Sequence, residues 1–252
     1  MPRPLALTYH GVGRVALRHD PDGLFVSPER LRRQIGLLRR RGYTLVTFGE
    51  LVRAVSEGDG GGRAALTFDD GFADNLHVLA PLLAELSAPA TVFVVSGWLG
   101  QRHPSPPGAP MLDAGELRRL HAAGIEIGGH TVSHPDLTTL AFEEARRELA
   151  EGRAALEAIV DAPVTTAAYP FGRATEETVR ACAEAGFAAA GRTSGEGSLR
   201  RPLDFPRENM NNDSTLLGVR LKIAGRYEGV MRHRSARAVR RLKKMAHAAR
   251  HR

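Results

Sequence analysis

The sequence predicts one α/β domain whose parallel strands close into a barrel, with a doubly wound open sheet as the second choice. Three observations carry this. Seven strand-like segments alternate with helical ones along the chain, the pattern of parallel strands joined by helical crossovers. The 252 residues are 42% hydrophobic and 25% charged, enough for one full core. The polar clusters fall where strands end, which in both architectures is where sites form.

Leu5 to Tyr9 reads as the first strand, ending at His10-Gly11-Val12-Gly13. Ser27-Pro28 opens a helix as N-cap and first-turn proline. Leu31, Ile35 and Leu38 give it an apolar stripe, and Gly42 ends it. Tyr43 to Thr47 is a strand, Phe48 to Ser56 a short helix, and residues 58–62 a glycine-rich connector. Ala64 to Phe68 is the central buried strand. Asn75 to Leu86 is helical in pattern, with Pro81 marking either a kink or the true start. Thr91 to Val95, β-branched and aromatic, is a strand. Gly100 to Pro110, rich in Pro and Gly, reads as a surface loop. Asp113 with Glu116 resembles a capping box for a helix that stops at Gly124. Ile125 to Gly128 is a strand leading to His130, and Phe142 to Val160 a long amphipathic helix. Thr165 to Tyr169 is a strand ending in Pro170-Phe171-Gly172. Thr175 caps a helix that ends at Gly186, and Phe187 to Ala190 is the last clear strand.

The net charge of +7 is unevenly spread. Residues 232–252 hold nine Lys or Arg and no acid, whereas residues 1–231 hold 26 basic against 28 acidic side chains, a net of −2. The body therefore lacks the basic face expected of a nucleic-acid-binding core. The tail carries Val239, Leu242, Met245 or Ala246, and Ala249 near helical spacing, which suits an anionic membrane surface or an acidic partner; a solvated tail is the plainer reading. One cysteine, Cys182, allows no intrachain disulfide. The N-terminus lacks the apolar stretch of a secretory signal, and no apolar run spans a bilayer. The expected location is cytoplasmic, peripheral to the inner face of the membrane if the tail docks there.

The chemistry centres on Thr67-Phe68-Asp69-Asp70-Gly71. Adjacent residues of an extended segment point to opposite sides, so one carboxylate can ligate a metal while the other faces what the metal activates. Alone, an Asp-Gly at a strand end is equally an ordinary turn. His130 and His134, four apart just beyond another strand, have a spacing that lets both imidazoles reach one ion, although a histidine pair by itself is more often surface polarity. Together these residues supply an Asp-His-His set with open positions, the arrangement of a hydrolytic zinc site.

Thr67-Phe68-Asp69-Asp70-Gly71, His130-Thr131-Val132-Ser133-His134 and Tyr169-Pro170-Phe171-Gly172, in that order, resemble the motifs of the polysaccharide deacetylase family, the NodB-homology or carbohydrate esterase 4 family. The resemblance covers roughly residues 5–210. It sets a catalytic domain at 1–211 and a C-terminal extension with the basic tail at 212–252. It implies a distorted (β/α)7-8 barrel that removes acyl groups from sugars with a divalent metal: zinc, with cobalt or nickel as alternatives. Asp70, His130 and His134 look like the metal ligands, and Asp69 like the general base for the attacking water. The backbone N–H of Phe171 looks like an oxyanion donor. Tyr169, Pro170, Trp98 and Arg207 are placed on the substrate side; Trp98, with Leu99, reads as an apolar wall for an acetyl methyl or sugar face or, equally, as ordinary core packing. The substrate class is an N-acylated amino sugar in a glycan or glycan intermediate.

The chain departs from the family pattern. Ala168 stands where an Arg usually orients the base; Arg192 or Arg207 could reach in instead. The late Asp-and-Trp motif and the late Leu-x-His that supplies the general acid are absent. Some relatives, the exopolysaccharide deacetylases, carry this histidine near the N-terminus in Tyr-His-x-Val, and Tyr9-His10-Gly11-Val12 looks like that segment. His10 is therefore the expected general acid. The departures also motivate a second reading, a catalytically silent carbohydrate-binding or membrane-docking module. His77, His103 and His121 read as surface residues, Cys182 as a buried hydrophobe, and Thr131 and Ser133 as local hydrogen-bonding residues.

Overall fold

A computed structural model describes residues 1–105, 108–193, 197–210 and 216–223. The strands are β1 (Leu5–Tyr9), β2 (Gly11–Val12), β3 (Phe25–Val26), β4 (Thr44–Val46), β5 (Arg63–Phe68), β6 (Thr91–Val94), β7 (Glu126–Gly129), β8 (Thr166–Ala168), β9 (Ala189–Arg192), β10 (Phe205–Pro206) and β11 (Glu208–Asn209). The α-helices are α1 (Pro28–Arg40), α2 (Phe48–Ser56), α3 (Ala80–Glu85), α4 (Ala114–Ala122), α5 (Phe142–Val160), α6 (Glu176–Glu184) and α7 (Leu216–Ile223).

The main sheet is parallel throughout, in the order β10-β9-β8-β7-β6-β5-β1-β11, with β4 paired to β5 off that path. Its two ends are one piece of chain. Only Arg207 separates β10, which pairs with β9, from β11, which pairs with β1. Residues 205–209 thus pass from one edge of the sheet to the other and close the barrel, as the fold expected from the sequence requires. β5 is flanked by β1 along five register pairs. Its other edge is shared, with β4 on residues 63–65 and β6 on Thr67 and Phe68.

Strand alternation sorts the side chains. Leu5, Leu7, Tyr9, Ala64, Leu66 and Phe68 join the larger core with the helices. Ala6, Ala65, Ala168 and Ala189 belong to a smaller cluster filled by Phe48, Phe93 and Phe205, whose rings meet edge to face at 5.5 and 5.8 Å. Small residues on the strands and three phenyl rings fill the barrel interior.

The helix boundaries follow their caps. Ser27 Oγ accepts the Arg30 N–H for α1. Thr47 with Glu50 and Asp113 with Glu116 form full capping boxes for α2 and α4. Gly124 ends α4 with φ of 85°, which a residue with a Cβ adopts only under strain. Pro81 is the second residue of α3, after a π-turn over Asn75–Leu79, so it marks the true start. The buried Leu31, Ile35 and Leu38 seat α1, and Tyr9 donates its hydroxyl proton to Gln34 at 2.8 Å.

Three features go beyond the sequence reading or differ from it. First, packing continues past the boundary set at 211. Val219 and Ile223 of α7 are buried in the main core, Lys222 Nζ donates to the carbonyl of Asn209, and Arg3 donates to that of Lys222 at 3.1 Å. Second, β2 pairs with β3 in a small separate sheet, which two-residue strands do not announce in sequence. Third, the segment expected as a surface loop from 100 to 110 folds back on itself in its described parts. Arg102 bridges Pro110, and Gly100 N–H donates to Leu112 O at 2.9 Å. Among the described residues, no helix is long and apolar enough to cross a membrane. Residues 224–252, with the basic tail, lie outside the described residues.

Candidate active site

Every strand-end cluster singled out in the sequence arrives at the C-terminal rim of the barrel. His10 follows β1, Asp69-Asp70 follow β5, His130 to His134 follow β7, and Tyr169 to Gly172 follow β8. Six non-glycine residues among those described have positive φ, and four of them, Asp70, Thr131, His134 and Phe171, are here. Such conformations cost energy and concentrate at functional sites.

The two carboxylates part as expected, and a backbone turn helps. Asp69 N–H continues the ladder to Tyr9 O at 2.9 Å, whereas Asp70 turns at φ 76°. Asp69 is gripped by Arg207 through two parallel bonds, Nη1 to Oδ1 at 2.7 Å and Nη2 to Oδ2 at 2.9 Å. Nη1 also donates to Thr67 Oγ1 at 3.0 Å, and the guanidinium lies over the Phe93 ring. Small residues clear its path: a Cβ on Gly191 would stand 2.5 Å from Arg207 Cδ, and Gly191 is the register partner of Ala168. Arg207 thus occupies the role left empty at Ala168. Arg192 instead pairs with Asp204 at 2.9 Å. Burial alone would raise the Asp69 carboxyl; the charges of Arg207, His130 and His10 outweigh it and hold the group below the usual carboxylate range.

Asp70 faces the histidines. Its Oδ1 lies 3.6 Å from His130 Nε2 and 3.7 Å from His134 Nε2. His130 Nδ1 donates to Ala168 O at 2.8 Å, which assigns the proton to Nδ1 and leaves the Nε2 lone pair facing Asp70. The His134 imidazole is pushed down to about 4, first by burial and then by His130, so it is neutral at pH 7. Donors bound about 2.0–2.2 Å from one ion stand roughly 3–3.5 Å apart. Ligand atoms of Asp70, His130 and His134 lie within 4.8 Å of one another. Two imidazole nitrogens and a carboxylate oxygen therefore fit a divalent metal, with room left in its coordination sphere.

These residues line a cavity of about 370 Å³ with His10, Phe171, Asp22, Leu24, Ser105, Thr193 and Asn209 among its walls. Phe171 is exposed, and its N–H makes no hydrogen bond among the described residues. The substrate-side placements change. The Arg207 side chain has no exposure and holds Asp69. Tyr169 is buried and donates its hydroxyl proton to Leu203 O at 2.6 Å, and Pro170 is buried beside it. Trp98 packs on His134 and His103, with ring centroids 5.1 and 5.0 Å apart, and so backs the site instead of lining the cavity.

The structure also adds residues with no sequence signal. His103, expected at the surface, is buried with Nε2 3.4 Å from Asp70 Oδ2. His77 is exposed and bonded to Glu116, as expected, whereas His121 is half-buried. Glu148 on α5 accepts the N–H groups of Val132 and Ser133, both at 2.9 Å, and props the segment between the two ligand histidines. Thr131 Oγ1 accepts the His134 N–H at 2.9 Å, the local role expected of it. Asp74 accepts the Val12 N–H at 2.9 Å, and Asn75 donates to His10 O at 3.3 Å, so both hold the segment that carries His10. An acid at position 148 is one of many on helical surfaces, and only its long-range partners mark it.

The sequence model of the polysaccharide deacetylase family matches residues 57–190. A chitooligosaccharide deacetylase of Sinorhizobium fredii is 33% identical over 137 residues, 52% of this chain and 57% of that protein. The chain spans about half the length of the curated relatives it matches first. Among solved structures, the deacetylase PplD of Streptococcus pyogenes, in complex with acetate, superposes with a TM-score of 0.73 at 24% identity, covering 85% of this chain and 96% of that one. IcaB of Ammonifex degensii gives 0.74 at 21% identity, covering 90% and 98%. Both show the fold.

Proposed function

The chain belongs to the polysaccharide deacetylase family, and from that premise we propose that it hydrolyses the N-acyl group of an amino sugar in a glycan or glycan intermediate. One observation carries the reading. Asp70, His130 and His134 converge on one point while Asp69 lines the same cavity, held by Arg207. A binding module has no use for that second, positioned carboxylate. The silent-module reading rested partly on the missing arginine, and Arg207 supplies it.

We assign zinc as the ion on the strength of the nitrogen–nitrogen–oxygen donor set, with cobalt and nickel as alternatives. A bound divalent ion supplies Lewis acidity, polarising the acyl carbonyl and acidifying water. The chain's own residues do the rest. Asp69, ionised at neutral pH and fixed by Arg207, accepts the proton of the attacking water. The Phe171 N–H, on a residue that lines the cavity, is the donor that stabilises the developing oxyanion. His10, half-buried at the end of β1, gives a proton to the departing amine. Leu24 and Phe171 offer apolar surface, and Asp22, Ser105, Thr193 and Asn209 offer partners for sugar hydroxyls. The volume lies in the usual range for small-ligand sites.

The name of the rhizobial relative makes N-acetylglucosamine oligomers the first substrates to test. The chelated protein, reloaded with Zn²⁺, Co²⁺ or Ni²⁺, is expected to release acetate and leave a product lighter by one acetyl group. The chelated form should be inert. Bound metal with no turnover on any acylated sugar would defeat the hydrolase reading. Within the site, His10→Ala is expected to keep its metal and lose about 10²–10⁴-fold in kcat; near-normal kcat in that variant removes His10 as the acid.

A further inference from the structure

We propose that His103 is a positioning residue for the metal site: its Nε2–H holds the outer oxygen of Asp70, so that the carboxylate presents Oδ1 alone to the ion. The inference rests on the metal-centre reading above. It starts from the contacts of His103. His103 Nε2 lies 3.4 Å from Asp70 Oδ2, the oxygen that does not face His130 and His134. Ser105 N–H donates to His103 Nδ1 at 3.1 Å. A backbone N–H can only donate, and its 3.1 Å contact is shorter than the 3.4 Å from Nδ1 to Ser105 O, which favours the tautomer with the ring proton on Nε2, beside Asp70. The ring stacks on Phe72 with centroids 4.9 Å apart and 24° between planes, and meets Trp98 edge-on at 5.0 Å. Phe72 itself sits in a small apolar cluster with Phe25 and Met111, and His103 N–H donates to Ala109 O at 2.8 Å.

The imidazole is thus held by the rings of Phe72 and Trp98 and by a partner at each nitrogen, in a segment that carries none of the three recognised motifs. That arrangement divides the labour of the carboxylate. With Oδ2 occupied by the His103 N–H, the group ligates through one oxygen. Without that donor, Oδ2 is free to swing inward and take a coordination position that water or the acyl oxygen needs. Partners of this kind commonly set metal affinity and activity by 10–100-fold.

His103→Leu keeps apolar volume beside Phe72 and Trp98 and removes the donor. His103→Gln returns an amide N–H at similar reach. Zn²⁺ affinity, read by competition with a chromogenic chelator, is expected to fall about 10–100-fold in His103→Leu and to recover most of that loss in His103→Gln. The visible spectrum of the Co²⁺ form should change in the leucine variant and return towards wild type in the glutamine variant. The thermal midpoint of the metal-free leucine variant reports whether it folds. Should it not fold, His103→Gln against His103→Asn carries the same contrast, because the shorter amide falls short of Oδ2. Equal Zn²⁺ affinity and equal Co²⁺ spectra in wild type and His103→Leu overturn this inference alone, as does a glutamine variant no better than leucine. A wild-type chain that binds no ion overturns the metal centre and this inference with it.

Discussion

Arg207→Met is expected to lower stability by about 3–5 kcal/mol and to move the acidic limb of the kcat/KM profile to higher pH. The guanidinium has no exposed surface and makes both of its carboxylate bonds to Asp69. Removing it leaves a buried charge with no counter-charge, the costly way to break such a pair. The sign of the pH effect follows from the causes acting on Asp69. Burial pushes the carboxyl up and Arg207 is the largest of the influences pulling it down. In the native chain the folded-state value lies below the unfolded one. The pair's stability is therefore fully present above the unfolded value and is lost as pH falls through the folded one. Without Arg207, burial is opposed only by the weaker pull of His130 and His10, and the base protonates at a higher pH than before. Arg207→Lys should recover part of the charge and little of the geometry, since a single ammonium cannot grip both oxygens. Denaturant melts and pH–rate profiles check both parts. A variant as stable as wild type with an unmoved acidic limb would show that Arg207 is not what holds the base.

The sequence was readable where local chemistry decides the outcome. Phe48–Ser56 and Phe142–Val160 appear with the boundaries read from the residues, because caps and apolar periodicity act within a few residues of each other. Asp69, Asp70, His130 and His134 were readable because the Asp-Asp pair and the spaced histidines occur together at strand ends and in the order of a known set of motifs. The segment that closes the barrel was not. Phe205-Pro206-Arg207-Glu208-Asn209 has no apolar alternation and a proline inside it, and its two short pairings are visible only once β9 and β1 are in place. The choice between Arg192 and Arg207 failed for the same reason. Both are arginines late in the chain, and the decision is made by Gly191, whose missing Cβ leaves room for Arg207, and by Asp204, which engages Arg192. His103 was misread because a Pro- and Gly-rich stretch usually lies in solvent. Here Phe72, Trp98 and Asp70, remote in sequence, draw it inward.

Asp69→Asn is expected to bind the metal as wild type does and to lose about 10²–10⁴-fold in kcat, whereas Asp70→Asn should lose the metal itself. The contrast is the sharpest available, because the two residues are adjacent, both buried and chemically identical. What separates them is surroundings. Asp69 is bound on both oxygens by a guanidinium. Asp70 has imidazoles around it, with His130 and His134 near one oxygen and His103 near the other. Asparagine at 69 keeps the shape and one acceptor for Arg207 but takes no proton in the working pH range. The variant should therefore load metal normally, bind substrate with little change in KM, and show no acidic limb from this group. Metal content by emission spectroscopy and kcat on an N-acetylglucosamine oligomer read the two effects separately. If Asp69→Asn lost its ion, or turned over within a few-fold of wild type, the division of labour between the two carboxylates would be wrong, and with it the placement of the base.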